Sequence, residues 1–278
     1  MVKHRKKPFK LFVITILLLL FLLLFWYIQN FTFRITKVEI TSDKVSDSIT
    51  IVHLSDLHGA TYGNNNRWLL EQIKMQEPDL ICATGDMYTR NDEQGKKVAI
   101  ELMKRATEIA PVYFVNGEHD NDSAYLEALK AGDVTVLSYG QTQCSVGDDT
   151  LAIYGIDNVY YSDTFNLFHE FDEPPEDCFS VLLAHIPNFE AFNWYGADLT
   201  LCGDTHGGVA QIPFVGPLYF NGQWVPELTS KDEYVTDKGL FDTYTGHVYV
   251  SGGLGNHPYP FRFFNRPELS VIQIVPEG

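Results

Sequence analysis

The chain has 278 residues, 45% of them hydrophobic, with 20 basic and 36 acidic side chains. The charge is segregated: Met1–Lys10 holds five basic residues and no acid, so everything beyond Asn30 carries 15 basic against 36 acidic groups, about −21. A body that acidic repels nucleic acid and anionic headgroups, which excludes a nucleic-acid partner, and a phosphate-cleaving site within it would have to draw its positive charge from metal ions.

The basic segment at residues 1–10 precedes Leu11–Ile28, LFVITILLLLFLLLFWYI. This run has no charge, is apolar all round, and at 1.5 Å per residue reaches across most of a bilayer core of about 30 Å. Trp26 and Tyr27 at its end suit the interfacial belt, and the basic residues before it stay cytoplasmic. The expected protein is therefore single-pass at the cell membrane. Its N-terminus is inside, residues 11–28 form an uncleaved transmembrane anchor, and the domain at 31–278 is extracellular. A cleaved signal peptide is the rival reading. It normally has a shorter apolar region and a small-x-small site, where this chain reads Phe-Trp-Tyr-Ile-Gln-Asn-Phe.

Phe31–Ile40 alternates imperfectly and predicts a strand. Five short apolar runs follow, each ending in a polar or glycine-containing cluster. Thr50–Leu54 leads to Asp56-Leu57-His58, and Leu80–Thr84 to Gly85-Asp86. Val112–Asn116 leads to Gly117-Glu118-His119-Asp120, Phe179–Ala184 to His185, and Leu199–Cys202 to Gly203-Asp204-Thr205-His206. Helical patterns lie between several of them, at Arg67–Gln76, Val98–Ile109 and Ser123–Ala131. Ser123 is the expected N-cap of the last and Gly132 its stop. Strands alternating with helices predict an α/β fold with a parallel or mixed sheet, and ligands in such sheets bind beyond the carboxyl ends of the strands. None of the four cysteines forms a C-x-x-C pair. Cys82 and Cys202 sit in apolar runs as core residues, and a Cys144–Cys178 bridge is left open.

Carboxylates and imidazoles are the ligands of hydrolytic metals. One Asp-x-His is a common turn, and His53 and His169 are read as ordinary histidines. Five clusters delivered to strand ends in this order are not explained by packing. The order Asp56-x-His58, Gly85-Asp86, Gly117-Glu118-His119-Asp120, His185, Gly203-Asp204-x-His206 resembles the calcineurin-like metallophosphoesterase family, whose usual pattern is D-x-H, G-D, G-N-H-[DE], H, G-H-x-H. The segments Gly207–Phe220 and Val248–Gly255, with the anchor, are similar to its membrane-anchored bacterial branch related to UDP-2,3-diacylglucosamine pyrophosphatases.

The resemblance implies a four-layer αββα sandwich with two divalent metals at the strand ends. Asp56, His58 and His206 would bind the first metal and Asp86 would bridge. His185 would bind the second, with Glu118 and Asp204 at the remaining ligand positions. A metal-bound hydroxide would attack phosphorus in line. His119, oriented by Asp120, would stabilise the transition state or protonate the leaving oxygen. Two positions depart from the family: Asn is replaced by Glu118, and the first His of G-H-x-H by Asp204. The carboxylates Asp56, Asp86, Glu118 and Asp204 then nearly neutralise two divalent ions. Such an oxygen-rich set favours Mn²⁺ or Mg²⁺ over Zn²⁺, with iron and zinc still open.

The expected activity is hydrolysis of phosphate esters or diphosphates, of a small molecule or a lipid. The rival class is a non-catalytic metal- or phospholipid-binding protein with a degraded second metal site. Aromatic stretches at Asp157–Asp177 (Tyr160, Tyr161, Phe165, Phe168, Phe171) and Pro258–Phe264 are read either as substrate walls or as ordinary packing. Arg262 and Arg266 are read either as contacts to a second phosphate or as surface charges, and Asn256 and His257 as neighbours of the site.

Overall fold

The computed structural model describes residues 6–157, 166–208, 210–212, 216–220, 223–224 and 237–278. Helix α1, Lys6–Phe31, opens the chain. Phe9–Phe31 is long and apolar enough to cross a membrane. The body follows as β1 (Arg34–Ser42), β2 (Ile49–Leu54), α2 (Arg67–Lys74), β3 (Leu80–Ala83), α3 (Glu93–Ala106), β4 (Val112–Phe114), α4 (Ser123–Lys130) and β5 (Thr135–Val136). Next come β6 (Gly140–Val146), β7 (Asp149–Gly155), β8 (Phe179–Leu183), α5 (Phe189–Tyr195) and β9 (Leu199–Cys202). Two short ribbons, β10–β11 (Gln211–Ile212, Gly216–Pro217) and β12–β13 (Tyr219–Phe220, Gln223–Trp224), precede β14 (Gly239–Asp242), β15 (His247–Val250) and β16 (Glu268–Pro276).

Two six-stranded sheets result, ordered β1-β16-β2-β3-β4-β5 and β14-β15-β9-β8-β7-β6. Strand alternation sorts their side chains into three apolar layers. Ile49 and Ile51 of β2 face between the sheets with Val181, Leu183, Leu199, Leu201 and Tyr249. Val52 and Leu54, from the opposite face of β2, pack under α2, α3 and α4. In the second sheet Ala152, Leu182, Val248 and Val250 pack under α5. Helix, sheet, sheet, helix is the αββα sandwich.

The helices sit where periodicity placed them, with two shifts. α3 begins at Glu93, five residues before the apolar pattern, because the Asp92 carboxylate caps it through Gln94 N–H and Gly95 N–H. α4 is capped by Asp122, which accepts from Tyr125 N–H, so Ser123 is its first helical residue. The cysteines are all free and buried. Cys144 lies in the layer between the sheets and Cys178 in the outer layer under α5, so no bridge joins them.

Strands β2, β3 and β4 run parallel in one sheet, and β7, β8, β9 and β15 run parallel in the other. Their carboxyl ends meet along one edge of the sandwich. All five polar clusters emerge there, with a sixth, Ser251–Gly255, after β15.

Candidate metal centre

Each strand delivers its ligand through a tight turn. Asp56, His58, Asp86, Asp204 and His206 all have positive φ, between 47° and 69°. Asp and His tolerate this region better than most residues, and such strain concentrates at functional sites. Close approach of the turns requires glycine. A Cβ on Gly117 would lie 2.2 Å from Asp86 Oδ1, and one on Gly203 1.9 Å from Ser55 Oγ and 2.5 Å from Asp56 Oδ2.

Asp86 is the hub. Its Oδ1 accepts from His119 N–H at 2.9 Å. Its Oδ2 lies 3.4 Å from His185 Nε2, 3.8 Å from His58 Nε2 and 3.9 Å from His119 Nε2. His206 Nε2 lies 3.6 Å from Asp56 Oδ1 and 3.2 Å from His58 Nε2. Most of these gaps exceed a hydrogen bond. They approach the spacing of ligand atoms around one cation, about 3.0–3.4 Å for bonds of 2.0–2.2 Å. Ligand atoms within 4.8 Å of one another form the groups Asp56–Asp86–His185, His58–Asp86–His119 and His58–His206–His257, two of which share Asp86.

The fit to a metal rests on His185. This fully buried ring donates Nδ1–H to Thr84 O at 2.6 Å, leaving Nε2 bare, and that atom has no hydrogen-bond partner. A bare, buried nitrogen aimed at two carboxylates, with its tautomer fixed from behind, is how a protein presents a metal ligand. His58 is held likewise, through Nδ1 and Thr89 Oγ1 at 3.0 Å.

The electrostatics fit as well. Burial pushes Asp56 up to about 7, reinforced by Asp86 and Asp204. At Asp86 burial opposes ionisation, but His185 outweighs it and holds the carboxyl at about 2. Burial also pulls His58 down to about 3 and, with Arg262, keeps His206 well below its usual value. Burial lowers His185 too, but Asp86, Asp56 and Asp204 outweigh it and raise that ring well above its usual value; carboxylates this closely gathered around buried imidazoles want a cation.

Glu118 and Asp204, the two residues that depart from the family pattern, stand at the rim. Their side chains are 44% and 38% exposed. Glu118 Oε1 is 3.5 Å from His119 Nε2, and Asp204 Oδ1 is 3.7 Å from His185 Nε2. Asp204 N–H also points at the Asp56 carboxylate, 3.2 Å away.

Asp120 does not orient the His119 ring by a direct bond. Its buried carboxylate accepts Gly117 N–H at 2.7 Å and Met87 N–H at 2.8 Å, tying two site loops together. The His119 ring is oriented instead by Arg90, whose N–H approaches Nδ1 at 3.2 Å.

Two residues matter more than their sequence context suggested. His257 stacks on His58 with centroids 4.2 Å apart and planes at 16°. Arg262 is no surface charge: it is 2% exposed and donates to the carbonyls of Gly252 (2.6 Å), Gly255 (2.5 Å) and His206 (3.3 Å). Its Nη2 also approaches His206 Nδ1 at 3.3 Å. Arg266 is tied to Phe33 O at 2.5 Å. Of the first aromatic stretch, Phe171 packs in the outer layer with Tyr154 and Tyr195, while Tyr160, Tyr161 and Phe165 lie outside the described residues. His53 is an ordinary core histidine between the sheets, bonded to Thr84 Oγ1 at 2.8 Å and pulled down to about 3 by burial.

Two stacked mixed sheets that deliver Asp and His from parallel strands to one shared edge define a metallophosphoesterase. The chain belongs to the calcineurin-like phosphoesterase family, whose model matches residues 49–208, and it is a phosphoester hydrolase. It is similar to the uncharacterized metallophosphoesterase YkuE of Bacillus subtilis, at 28% identity over 89% of this chain and 87% of that protein. It is also similar to the phosphodiesterase YaeI of Escherichia coli, at 26% identity over 72% of each. Among solved structures it resembles the Thermus thermophilus sulfate thiohydrolase SoxB in complex with glycerol, at TM-score 0.44 and 14% identity, covering 82% of this chain and 56% of that one.

Proposed function

We propose that the protein hydrolyses phosphate esters or diphosphates at the outer face of a membrane into which α1 anchors it, using two divalent ions. Asp56, His58 and His206 would hold one ion, His185, Asp204 and Glu118 the other, with Asp86 between them. The observation that carries this reading is the bare, buried Nε2 of His185 beside Asp86. When bound, such ions supply Lewis acidity at the phosphoryl oxygens and activate water at neutral pH.

The chain's own groups do the rest. The Thr84 carbonyl and the Thr89 hydroxyl fix the ring orientations of His185 and His58. Asp120 holds the Gly117 and Met87 loops at a fixed separation. Because Arg90 N–H occupies Nδ1 of His119, the neutral ring carries its proton on Nε2, which faces Asp86 and Glu118. His119 is thereby set up as a hydrogen-bond donor to the charge that develops on the phosphoryl group. The carboxylates at positions 118 and 204 supply hard oxygen donors on the solvent side, which favours Mn²⁺ or Mg²⁺.

The test uses the full chain in detergent with bis-p-nitrophenyl phosphate and p-nitrophenyl phosphate, and Mn²⁺, Mg²⁺, Zn²⁺ or chelator. Turnover that needs a metal and is lost in Asp86→Ala and His185→Ala supports the proposal. Binding of metal without turnover of either ester, or of a diphosphate, would favour the non-catalytic binding protein.

A further inference from the structure

The segment between β15 and β16 carries large apolar side chains on the surface. Tyr259, Phe261, Phe263 and Phe264 are each 44–47% exposed. Four clustered rings are more than the scattered exposure a surface in water normally shows.

This loop is fastened to the end of α1. The buried Asn30 side chain accepts Arg262 N–H through Oδ1 at 2.5 Å and donates Nδ2–H to Arg262 O at 3.3 Å and to Trp26 O at 2.8 Å. Asn256 Nδ2 donates to Asn30 O at 3.1 Å. Along residues 9–28 every side chain is exposed except Phe25. Phe25 is shielded by Phe263 and Phe264, at centroid distances of 5.9 and 5.3 Å.

The geometry fixes depth. Phe25 lies five residues before Asn30, about 7.5 Å back along the helix axis. The rings that touch it sit at the level of the Trp26–Tyr27 pair, on its apolar side. A bilayer that covers Phe25 therefore reaches Phe263 and Phe264 too.

We infer that the loop Pro258–Phe264 is a second membrane contact, seating its aromatic rings in the headgroup–acyl boundary of the bilayer that α1 crosses. Aromatic side chains gain most at that boundary, where one end is apolar and the other wet. The inference rests on reading α1 as an anchor. Arg262 in the same loop touches His206, and His257 at its start stacks on His58. The metal centre is thereby held at headgroup height, where the phosphates of membrane lipids lie.

Depth measurements on the full chain in phosphatidylcholine–phosphatidylglycerol nanodiscs test this. The four native cysteines are buried, so single introduced cysteines take a nitroxide selectively. Labels go at Leu22→Cys in α1, Phe261→Cys in the loop, and Tyr244→Cys in the 97%-exposed turn before β15, at the opposite end of that strand. The inference requires oxygen to relax the labels at 22 and 261 more than a water-soluble nickel chelate does, and the reverse at 244. A label at 22 in lipid with one at 261 in water overturns the loop contact and leaves the anchor standing. Labels in water at both positions overturn both. A label at 261 shielded from both relaxants overturns the bilayer contact in favour of a protein partner.

Discussion

Arg262→Met is the sharpest test of how the site is supported. The guanidinium is buried, and burial lowers its pKa only to about 10, with Tyr62, Asp56 and Glu268 supporting the charge, so it is ionised at neutral pH. It satisfies the carbonyls of Gly252, Gly255 and His206, which converge from two loops. Methionine fills similar length and donates nothing. Hydrogen bonds to a charged group contribute about 1.5–3 kcal/mol each, and a stranded buried carbonyl costs about 1–3 kcal/mol. The relief of burying a charge offsets part of that, which leaves a net loss of about 3–5 kcal/mol. In a domain of this size, 1 kcal/mol moves the Tm by roughly 2–4 °C, so the midpoint should fall by about 10 °C. The assay is a tryptophan-fluorescence melt of the full chain in detergent, paired with metal content after Mn²⁺ loading. Metal content should fall too, because His206 loses a partner to its carbonyl and its ring. Arg262→Lys should not rescue either readout, since an ammonium cannot reproduce the planar fork. A midpoint within about 2 °C of the parent, with unchanged metal, would refute the reasoning.

Three further outcomes are expected. Glu118→Asn combined with Asp204→His should raise the ratio of Zn²⁺- to Mn²⁺-supported rate about tenfold or more, as a softer nitrogen replaces hard oxygens; an unchanged profile would remove these residues from the metal's surroundings. His119→Gln keeps an amide N–H near the place of Nε2–H, so it should retain far more kcat than His119→Ala, which should lose about 10²–10³-fold; equal losses would point to proton transfer instead. Glu268 is pushed up by burial, but Arg34, Tyr249 and Thr36 outweigh this and lower its pKa below 4.5. Its contribution to stability is therefore full above that value and is lost as pH falls through the lower folded value. The Tm difference between the parent and Glu268→Gln should shrink as pH falls below the ordinary glutamate range, and a constant difference would contradict this.

The ligand clusters were legible because each follows an apolar run, and a parallel sheet sends the ends of such runs to one edge. The α/β alternation was legible from the same runs, but the four layers came only with the family resemblance, although β2, β3, β8 and β9 are almost wholly buried, as strands covered on two sides must be. The sixth cluster was harder to see. β15 reads His-Val-Tyr-Val and ends in Ser-Gly-Gly, with no carboxylate or imidazole to mark it. Its importance comes from Arg262, whose side-chain hydrogen-bond partners lie up to 56 residues away in sequence. Asp120 shows the same limit. Its neighbour in sequence is His119, but its partners are Gly117 and Met87, fixed by where β3 and β4 end. Residue type and spacing indicate what a side chain can do, and only the folded backbone decides for whom.

The place of β16 bears on when this protein becomes a protein. Residues 268–276 lie between β1 and β2, register Arg34↔Glu268 on one side and Ile272↔Ile51 on the other. Among the described residues β1 pairs with no strand but β16. During synthesis β1 and β2 are made early, but the strand that joins them follows the whole second sheet, so the first sheet stays split until residues 268–276 arrive. Pairings this remote in sequence are slow to form. The nascent domain therefore waits, open along a central seam, until β16 has been made. A stop codon within β16 would leave an unclosed sheet and an unstable domain rather than a slightly shortened enzyme.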